Sequence, residues 1–174
     1  MNQFASRGGI KLDHALKKFQ INVAGLTVLD VGSSTGGFVD CLLQRGAAKV
    51  YSVDTAYGQL AWKLRQDPRV EVIERQNILF LEKLPELVDL VTIDVTFTSL
   101  EKLLPSVRKF LKPAGKIVAL LKPQYEDQKL AIKHRGLIPK QNLPEIIARF
   151  SFDQITPSPI LGGGGNEEFL ILCR

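Results

Sequence analysis

Leu12, Ala15, Leu16 and Phe19 recur at three- and four-residue intervals with polar residues between them, so KLDHALKKF predicts a short amphipathic helix. Downstream, short continuous apolar runs alternate with helical stretches. TVLDV predicts a first strand and GGFVDCLLQRG a helix that ends on a glycine. KVYSVD predicts a second strand, followed by a helix over YGQLAWKLRQ that stops before Asp67-Pro68. RVEVIE and VDLVTIDV predict the third and fourth strands. SLEKLLPSVRKFL predicts a helix with Pro105 as its kink point, and GKIVALLKP a fifth strand after a Pro-Ala-Gly turn.

Strand–helix alternation with unbroken apolar strands predicts a parallel sheet whose two faces are both covered by helices. Between residues 123 and 139 the pattern loosens: PQYEDQKLAIKHRGLIP is polar and basic and predicts a loop or lid. NLPEIIARF predicts a last helix. SFDQITPSPI and EEFLILCR predict two closing strands joined across Gly162 to Gly165. With no helix between them they are expected to pair antiparallel, as a hairpin at the sheet edge. The expected fold class is therefore α/β, a Rossmann-like, mostly parallel seven-stranded sheet with an antiparallel C-terminal hairpin. No repeat or break in composition divides the chain, so residues 1–174 are expected to form a single domain, with 1–20 as a basic helical segment at its start.

Composition narrows the class. Of 174 residues, 45% are apolar and 24% charged, the balance of a folded globular chain. No apolar run exceeds five residues, and MNQFASRGG lacks the apolar centre of a secretory signal, so a cytoplasmic protein without a membrane partner is expected. Cys41 and Cys173 fall in apolar patterns and read as buried small hydrophobes, not as a disulfide framework. His14 and His134 have no partners at ligand spacing, so no metal is expected.

The net charge is +5, concentrated in two segments. Residues 1–20 carry Arg7, Lys11, Lys17 and Lys18 against Asp13. Residues 122–140 carry Lys122, Lys129, Lys133, Arg135 and Lys140 against Glu126 and Asp127. Two positive segments around a near-neutral body read either as solvated surface or as a polyanion footprint.

The chemistry is concentrated in VLDVGSSTGGFVD, where a strand turns into a helix through glycine. Gly32, Ser33, Ser34, Thr35, Gly36 and Gly37 lack the middle glycine of G-x-G-x-x-G, and no lysine follows as in a phosphate loop. The turn therefore offers hydroxyl and amide donors without a dedicated phosphate grip, which disfavours a nicotinamide oxidoreductase. Asp54 ends the second strand, where an acid hydrogen-bonds ribose hydroxyls in doubly wound sheets. Asp30, Asp54 and Asp94 together are expected to bring three carboxylates to one sheet edge, a setting for a cationic nucleoside. S-adenosylmethionine has adenosine, ribose, no phosphate and a positive sulfonium. Glycines that serve only a tight turn are the simpler alternative.

SRGGIKLDHAL, LDVGSSTGGFVDCLLQRGAAKVYSVDTAYGQLAWKLRQDPRV, VTIDVTFTSL, LLKPQYE and GNEEFL resemble the successive blocks of the TlyA family of FtsJ-like methyltransferases, often called haemolysins. The likeness runs in order through nearly the whole chain. It implies the class I methyltransferase fold, S-adenosylmethionine as donor, and 2′-O-methylation of ribosomal RNA, with ribosomal RNA or ribosomal subunits as partners. It also implies a Lys-Asp-Lys-Glu tetrad, carried over onto Lys11, Asp94, Lys122 and Glu168. Cofactor contacts are implied from Gly32 to Phe38, at Asp54, and at the Gln76–Asn77 turn. In the doublet Glu167-Glu168 the second acid is preferred, because the family's acid directly precedes the aromatic, here Phe169. Family members usually begin with a small RNA-binding domain of the ribosomal-protein type; this sequence carries none and reads as a truncated form or a short paralogue.

Methyl transfer to a hydroxyl asks a protein for geometry and for help with one proton. Lys122, expected to end the fifth strand beside Asp94 ending the fourth, suits that task; a structural ion pair is the alternative. Lys11 taken alone fits a solvated helix face. The two basic segments supply Lys11 and Lys122 themselves, which places them around the site, with Arg7, Lys129, Lys133 and Arg135 as candidate RNA-backbone contacts. Tyr57 and Trp62 read as core or rim packing. Three other functions compete: methylation of a protein or small molecule, a haemolysin or pore-forming protein, and an RNA-binding methyltransferase-like module without activity.

Overall fold

The computed structural model describes residues 3–174, so the first two residues of the basic segment 1–20 lie outside the described residues. In chain order the elements are α1 (Gly8–Lys18), β1 (Thr27–Val31), α2 (Gly37–Gln44), β2 (Lys49–Val53), α3 (Trp62–Arg65), β3 (Val70–Ile73) and β4 (Val88–Ile93). They continue with α4 (Leu100–Val107), β5 (Leu111–Leu121), α5 (Pro123–Glu126), α6 (Gln128–Lys133), α7 (Leu143–Ile147), β6 (Gln154–Pro157) and β7 (Phe169–Cys173).

The seven strands form one sheet in the order β3-β2-β1-β4-β5-β7-β6. β1 to β5 pair in parallel, while β7 runs antiparallel to both β5 and β6. The expected fold class is thus the observed one, a mostly parallel sheet with the C-terminal hairpin at its edge. Pro157, which has no N–H to donate, lies on the edge strand β6, where no outer neighbour needs one.

Because successive strand residues face opposite sides, each strand feeds two cores. Val28, Leu90, Val118, Leu120 and Leu170 pack with Leu12 and Leu16 of α1 and Val39 and Leu42 of α2. Leu29, Val31, Val91, Ile93 and Ile117 pack on the other face with Leu100, Leu103 and Val107 of α4. Both cysteines are buried and free. Burial pushes their thiols up to about 12 for Cys41 and about 11 for Cys173, so both are neutral, inert packing groups. Among the described residues no helix is long and apolar enough to cross a membrane.

Four local expectations change. YGQLAWKLRQ is helical only over Trp62–Arg65, because upstream backbone groups are engaged elsewhere. The N–H groups of Gly58 and Ala61 bond Glu74 Oε1 and the Thr35 carbonyl, and Ala56 accepts from Arg75. Trp62 and Tyr57 consequently stand exposed and not in the core, Tyr57 under the Arg75 guanidinium. Residues 123–139, expected as a loop or lid, carry α5 and α6. The helix over SLEKLLPSVRKFL ends at Val107 and tightens into a 3-10 turn over Arg108–Phe110, two residues after Pro105 removes a helix donor. The Pro-Ala-Gly turn lies within the span of β5: Val88 opposes Leu111 and Leu90 opposes Lys116, so the residues between bulge from the ladder.

Candidate active site

The site is built where β1 and β4 end side by side. Gly32 leaves β1 at φ +84°, and a Cβ there would stand 2.4 Å from the Asp94 carbonyl oxygen. Only glycine lets the two strand ends approach so closely. Beyond it the turn is held by Asp54 at the end of β2. Ser34 N–H donates to Asp54 Oδ2 at 2.7 Å, and Ala56 N–H donates to Oδ1 at 2.8 Å. The carboxylate that the sequence assigned to a ribose thus also fixes the glycine turn, with lone pairs left over for a ligand.

A second close approach delivers Lys11. The N-terminal end of α1 lies on that of α2: a Cβ on Gly37 would meet Ser6 Oγ at 2.1 Å and Gly9 N at 2.9 Å. Gly37 therefore lets the start of α2 pack directly on the backbone of Gly8 and Gly9 at the start of α1. Arg45 of α2's C-cap clamps the far end, its guanidinium donating to Asp13 Oδ1 at 2.6 and 2.9 Å. Lys11 is consequently buried, not on a solvated helix face.

Lys122 follows β5 directly and its Nζ lies 2.6 Å from Asp94 Oδ1. The contact is an ion pair without hydrogen-bond alignment, since buried Asp94 Oδ1 takes no hydrogen bond. Lys11 Nζ pairs with Glu168 Oε2, both side chains buried. Glu167 faces the other way and pairs at 2.6 Å with the exposed Lys140. The doublet is resolved by strand alternation at the mouth of β7: the second acid turns inward, beneath Gly162.

A cavity of about 640 Å³ gathers these groups. Its walls include Gly32, Ser33, Ser34, Thr35, Gly37 and Phe38 from the turn, with Asp54, Gln76 and Asn77 beside them. They also include Arg7, Lys11, Asp94 and Lys122. Two predicted residues stand just behind the walls: Glu168, which reaches the cavity through Lys11, and Gly36, packed under Leu60 and Leu64. The cavity is not the uniformly acidic cleft expected. Asp54 marks one end, whereas Arg7, Lys11 and Lys122 crowd the Asp94 end with positive charge.

Asp30 departs further from expectation. It lies inside β1, fully buried, and accepts a 2.6 Å hydrogen bond from Thr92 Oγ1 on the neighbouring strand. Its other oxygen is buried without a partner. Burial, reinforced by the charges of Asp94 and Asp54 and opposed by the bonds from Thr92 and Ser33, raises its pKa to about 7. Asp30 is therefore a floor beneath the site and does not line it.

Lys129 and Lys133 lie on α6, with Arg135 just after it; all three are exposed and none lines the cavity, unlike Arg7. Sequence reasoning missed Ser6, Gly8, Gln59 and the 95–98 segment as wall residues. No sequence signal marked the 95–98 segment: Phe97, 78% exposed, sits at φ +64°, a left-handed geometry that the residue type does not reveal. Its ring packs at 5.2 Å on Tyr125 of α5.

Comparison with known proteins places this arrangement. The model of the FtsJ-like methyltransferase family matches residues 4–174. TlyA of Mycobacterium tuberculosis, a 16S/23S rRNA (cytidine-2'-O)-methyltransferase, is 41% identical over 98% of this chain and 68% of its own length. A hemolysin-named crystal structure from Lactococcus lactis superposes with a TM-score of 0.93 at 39% identity, over 99% of this chain and 88% of that one. An S-adenosylmethionine dependent methyltransferase from Mesorhizobium loti, 15% identical with a TM-score of 0.61 over 91% of this chain and 94% of that one, shares the fold. The chain spans about two thirds of the length of the curated relatives it matches.

Proposed function

This chain belongs to the FtsJ-like methyltransferase family, and on that premise we propose that it transfers a methyl group from S-adenosylmethionine to a ribose 2′-hydroxyl of ribosomal RNA. The observation that carries this reading is the convergence of Lys11, Asp94 and Lys122 on one wall of the cavity whose floor is the Gly32 turn. TlyA of M. tuberculosis is named for this reaction on cytidine, which makes a cytidine ribose the first acceptor to test.

The residues present fit the donor. The cavity is of nucleoside-binding size. Gly32 leaves the turn open, the turn has no phosphate grip, and Asp54 is placed as a ribose partner beside the Ser34 amide. The turn residues Gly32 to Thr35, with Asp54, Gln76 and Asn77, would hold it. When bound, S-adenosylmethionine supplies a methyl group activated by a positive sulfur. Asp94, already paired with Lys122 through Oδ1, offers that charge a carboxylate at the basic end.

Lys122 then serves the acceptor. Its Nζ can donate to the incoming hydroxyl oxygen, orient it, and stand within reach of the proton that the hydroxyl releases. Lys11, held by Glu168, adds a second positive group at the same wall, and Arg7 at the mouth attracts the phosphates that flank the ribose. Exposed Lys129, Lys133 and Arg135 extend this positive field over α6.

Incubation with ribosomal RNA or intact subunits and methyl-labelled donor, followed by mass mapping of the RNA, tests the reading. A methyl mass retained on a ribose is the expected result. Label in protein alone, or donor binding without transfer to any RNA, would overturn it.

A further inference from the structure

Two chain segments leave the sheet side by side carrying the proposed chemistry: residues 94–99 after β4, with Asp94, and residues 122–126 after β5, with Lys122. At their base the two segments are joined by the 2.6 Å ion pair between Lys122 and Asp94. Their far ends are fastened. Glu126 Oε1 accepts the Leu100 N–H at 2.9 Å, and Glu126 Oε2 accepts the Ser99 hydroxyl at 2.5 Å. Ser99 in turn accepts the Glu101 N–H as the N-cap of α4. Between the fastening and the base, the ring of Phe97 packs on Tyr125, whose own ring lies 5.9 Å from Lys122 Nζ.

We propose that Glu126 is a positioning residue, whose carboxylate clips the segment carrying Lys122 to the segment carrying Asp94 and so sets the geometry of the methyl-transfer pair. The clip rests on the methyl-transfer reading given above and names a residue that this reading does not use. Glu126 is a half-buried carboxylate whose hydrogen-bond donors are a backbone amide and a hydroxyl; among the described residues no lysine or arginine stands within salt-bridge distance of it. An apolar residue or an amide would pack there without the penalty of holding a charge away from water. A group that weakens packing yet joins two strand ends at an active site is the pattern of a functional constraint.

The clip also explains why the 123–139 segment does not hang free. Asp127 caps α6 through the Leu130 N–H and pairs with Arg149 of the following helix region. Asn166 fastens the other end, donating to the Gly136 carbonyl and accepting from the Ile138 N–H. With residues 127–138 fixed in this way, removing the Glu126 clip loosens the stretch between β5 and Asp127, where Lys122 and Tyr125 stand.

The test compares Glu126→Ala, Glu126→Gln and Ser99→Ala in the whole chain. Glu126→Ala is expected to lower kcat for RNA methylation by about tenfold or more, the scale of a small misplacement of reacting groups. Affinity for S-adenosylhomocysteine, measured by calorimetry, stays within about twofold, because the Gly32 turn and Asp54 are untouched. Glu126→Gln, whose amide oxygen still accepts the Leu100 N–H, regains most of the rate, and Ser99→Ala falls between the two. Amide hydrogen exchange of Leu100 and of residues 122–126 quickens in Glu126→Ala and not in Glu126→Gln. Unchanged kcat in Glu126→Ala, or a parallel loss of rate and cofactor affinity in both Glu126 variants, overturns the clip. Should the unmodified chain methylate no RNA, the proposed function fails on its own; exchange then decides the clip, and equal rates in the two variants remove it.

Discussion

Lys122 Nζ and Asp94 Oδ1 stand 2.6 Å apart at the carboxyl ends of two adjacent parallel strands, on the wall of the same cavity as the Gly32 turn. On the proposed function, that juxtaposition would let a nucleoside-sized pocket manage the acceptor's proton. It leads to the first prediction. Lys122→Ala should lower methyl transfer by roughly 100-fold or more, the usual share of a positioned acid–base group. Lys122→Arg keeps the charge but cannot take the hydroxyl proton, so it should recover only part of the rate. Full activity in both variants removes Lys122 from the mechanism.

Glu167 and Glu168 should separate cleanly in stability. Glu168→Ala leaves the buried Lys11 ammonium without its partner, a change expected to destabilise by about 3–5 kcal/mol. Glu167→Ala removes an exposed ion pair to Lys140 and should stay within about 1 kcal/mol. Urea unfolding of the two variants reads the difference directly; equal losses would contradict the assignment of Glu168 as Lys11's partner.

Gly32 and Gly25 separate close approach from backbone strain. Both have positive φ, +84° and +76°, but a Cβ at Gly25 meets nothing within 4 Å. Gly25→Ala should therefore cost about 1–2 kcal/mol, the left-handed penalty alone. Gly32→Ala adds a 2.4 Å clash with the Asp94 carbonyl and should cost more, while also weakening cofactor binding. Thermal unfolding together with calorimetric titration of S-adenosylhomocysteine distinguishes the two effects.

Asp30 ties stability to pH. Its folded pKa, raised from 3.8 to about 7, means that the folded chain holds a proton there that the unfolded chain has released. The stabilising contribution is complete below pH 4 and is lost as pH rises through about 7; the full span corresponds to at most roughly 4 kcal/mol. Asp30→Asn, still able to accept from Thr92, should flatten the pH dependence of the melting temperature between pH 5 and about 8. Identical profiles for the variant and the original chain would show that Asp30 is ionised in both states.

RNA affinity should depend on salt through the exposed cations. Replacing Lys129, Lys133 or Arg135 by alanine is expected to reduce the slope of log affinity against log salt by about 1 for each phosphate that the side chain had neutralised. S-adenosylhomocysteine affinity should not move, since none of the three lines the cavity. A filter-binding series over salt concentration gives the slopes, and unchanged slopes would assign these residues to solvated surface.

Much of this molecule is legible before any folding is considered. Five parallel strands, the closing hairpin, and the burial of Cys41 and Cys173 follow from apolar runs and their spacing. These features are local: a strand buried on both faces must be apolar throughout, and two strands without an intervening helix must turn back. The glycine turn and Asp54 were legible for the same reason, since strand ends in such sheets open on one edge.

What the sequence could not convey is direction. Asp30, Asp54 and Asp94 look equivalent in one dimension, yet Asp30 lies within its strand and points into the packed face with Val28, whereas Asp54 and Asp94 lie beyond the ends of theirs. Lys11 has the spacing of a surface residue and becomes buried because Gly37 lets α2 pack on the backbone at the start of α1. Glu126 reads as one charge in a polar loop until the fold sets it against the start of α4. Composition and periodicity determined which segments are buried, because burial is a property each segment carries by itself. Which charged groups meet depended on the closure of the sheet and the packing of helix on helix, so only the tertiary structure decided it.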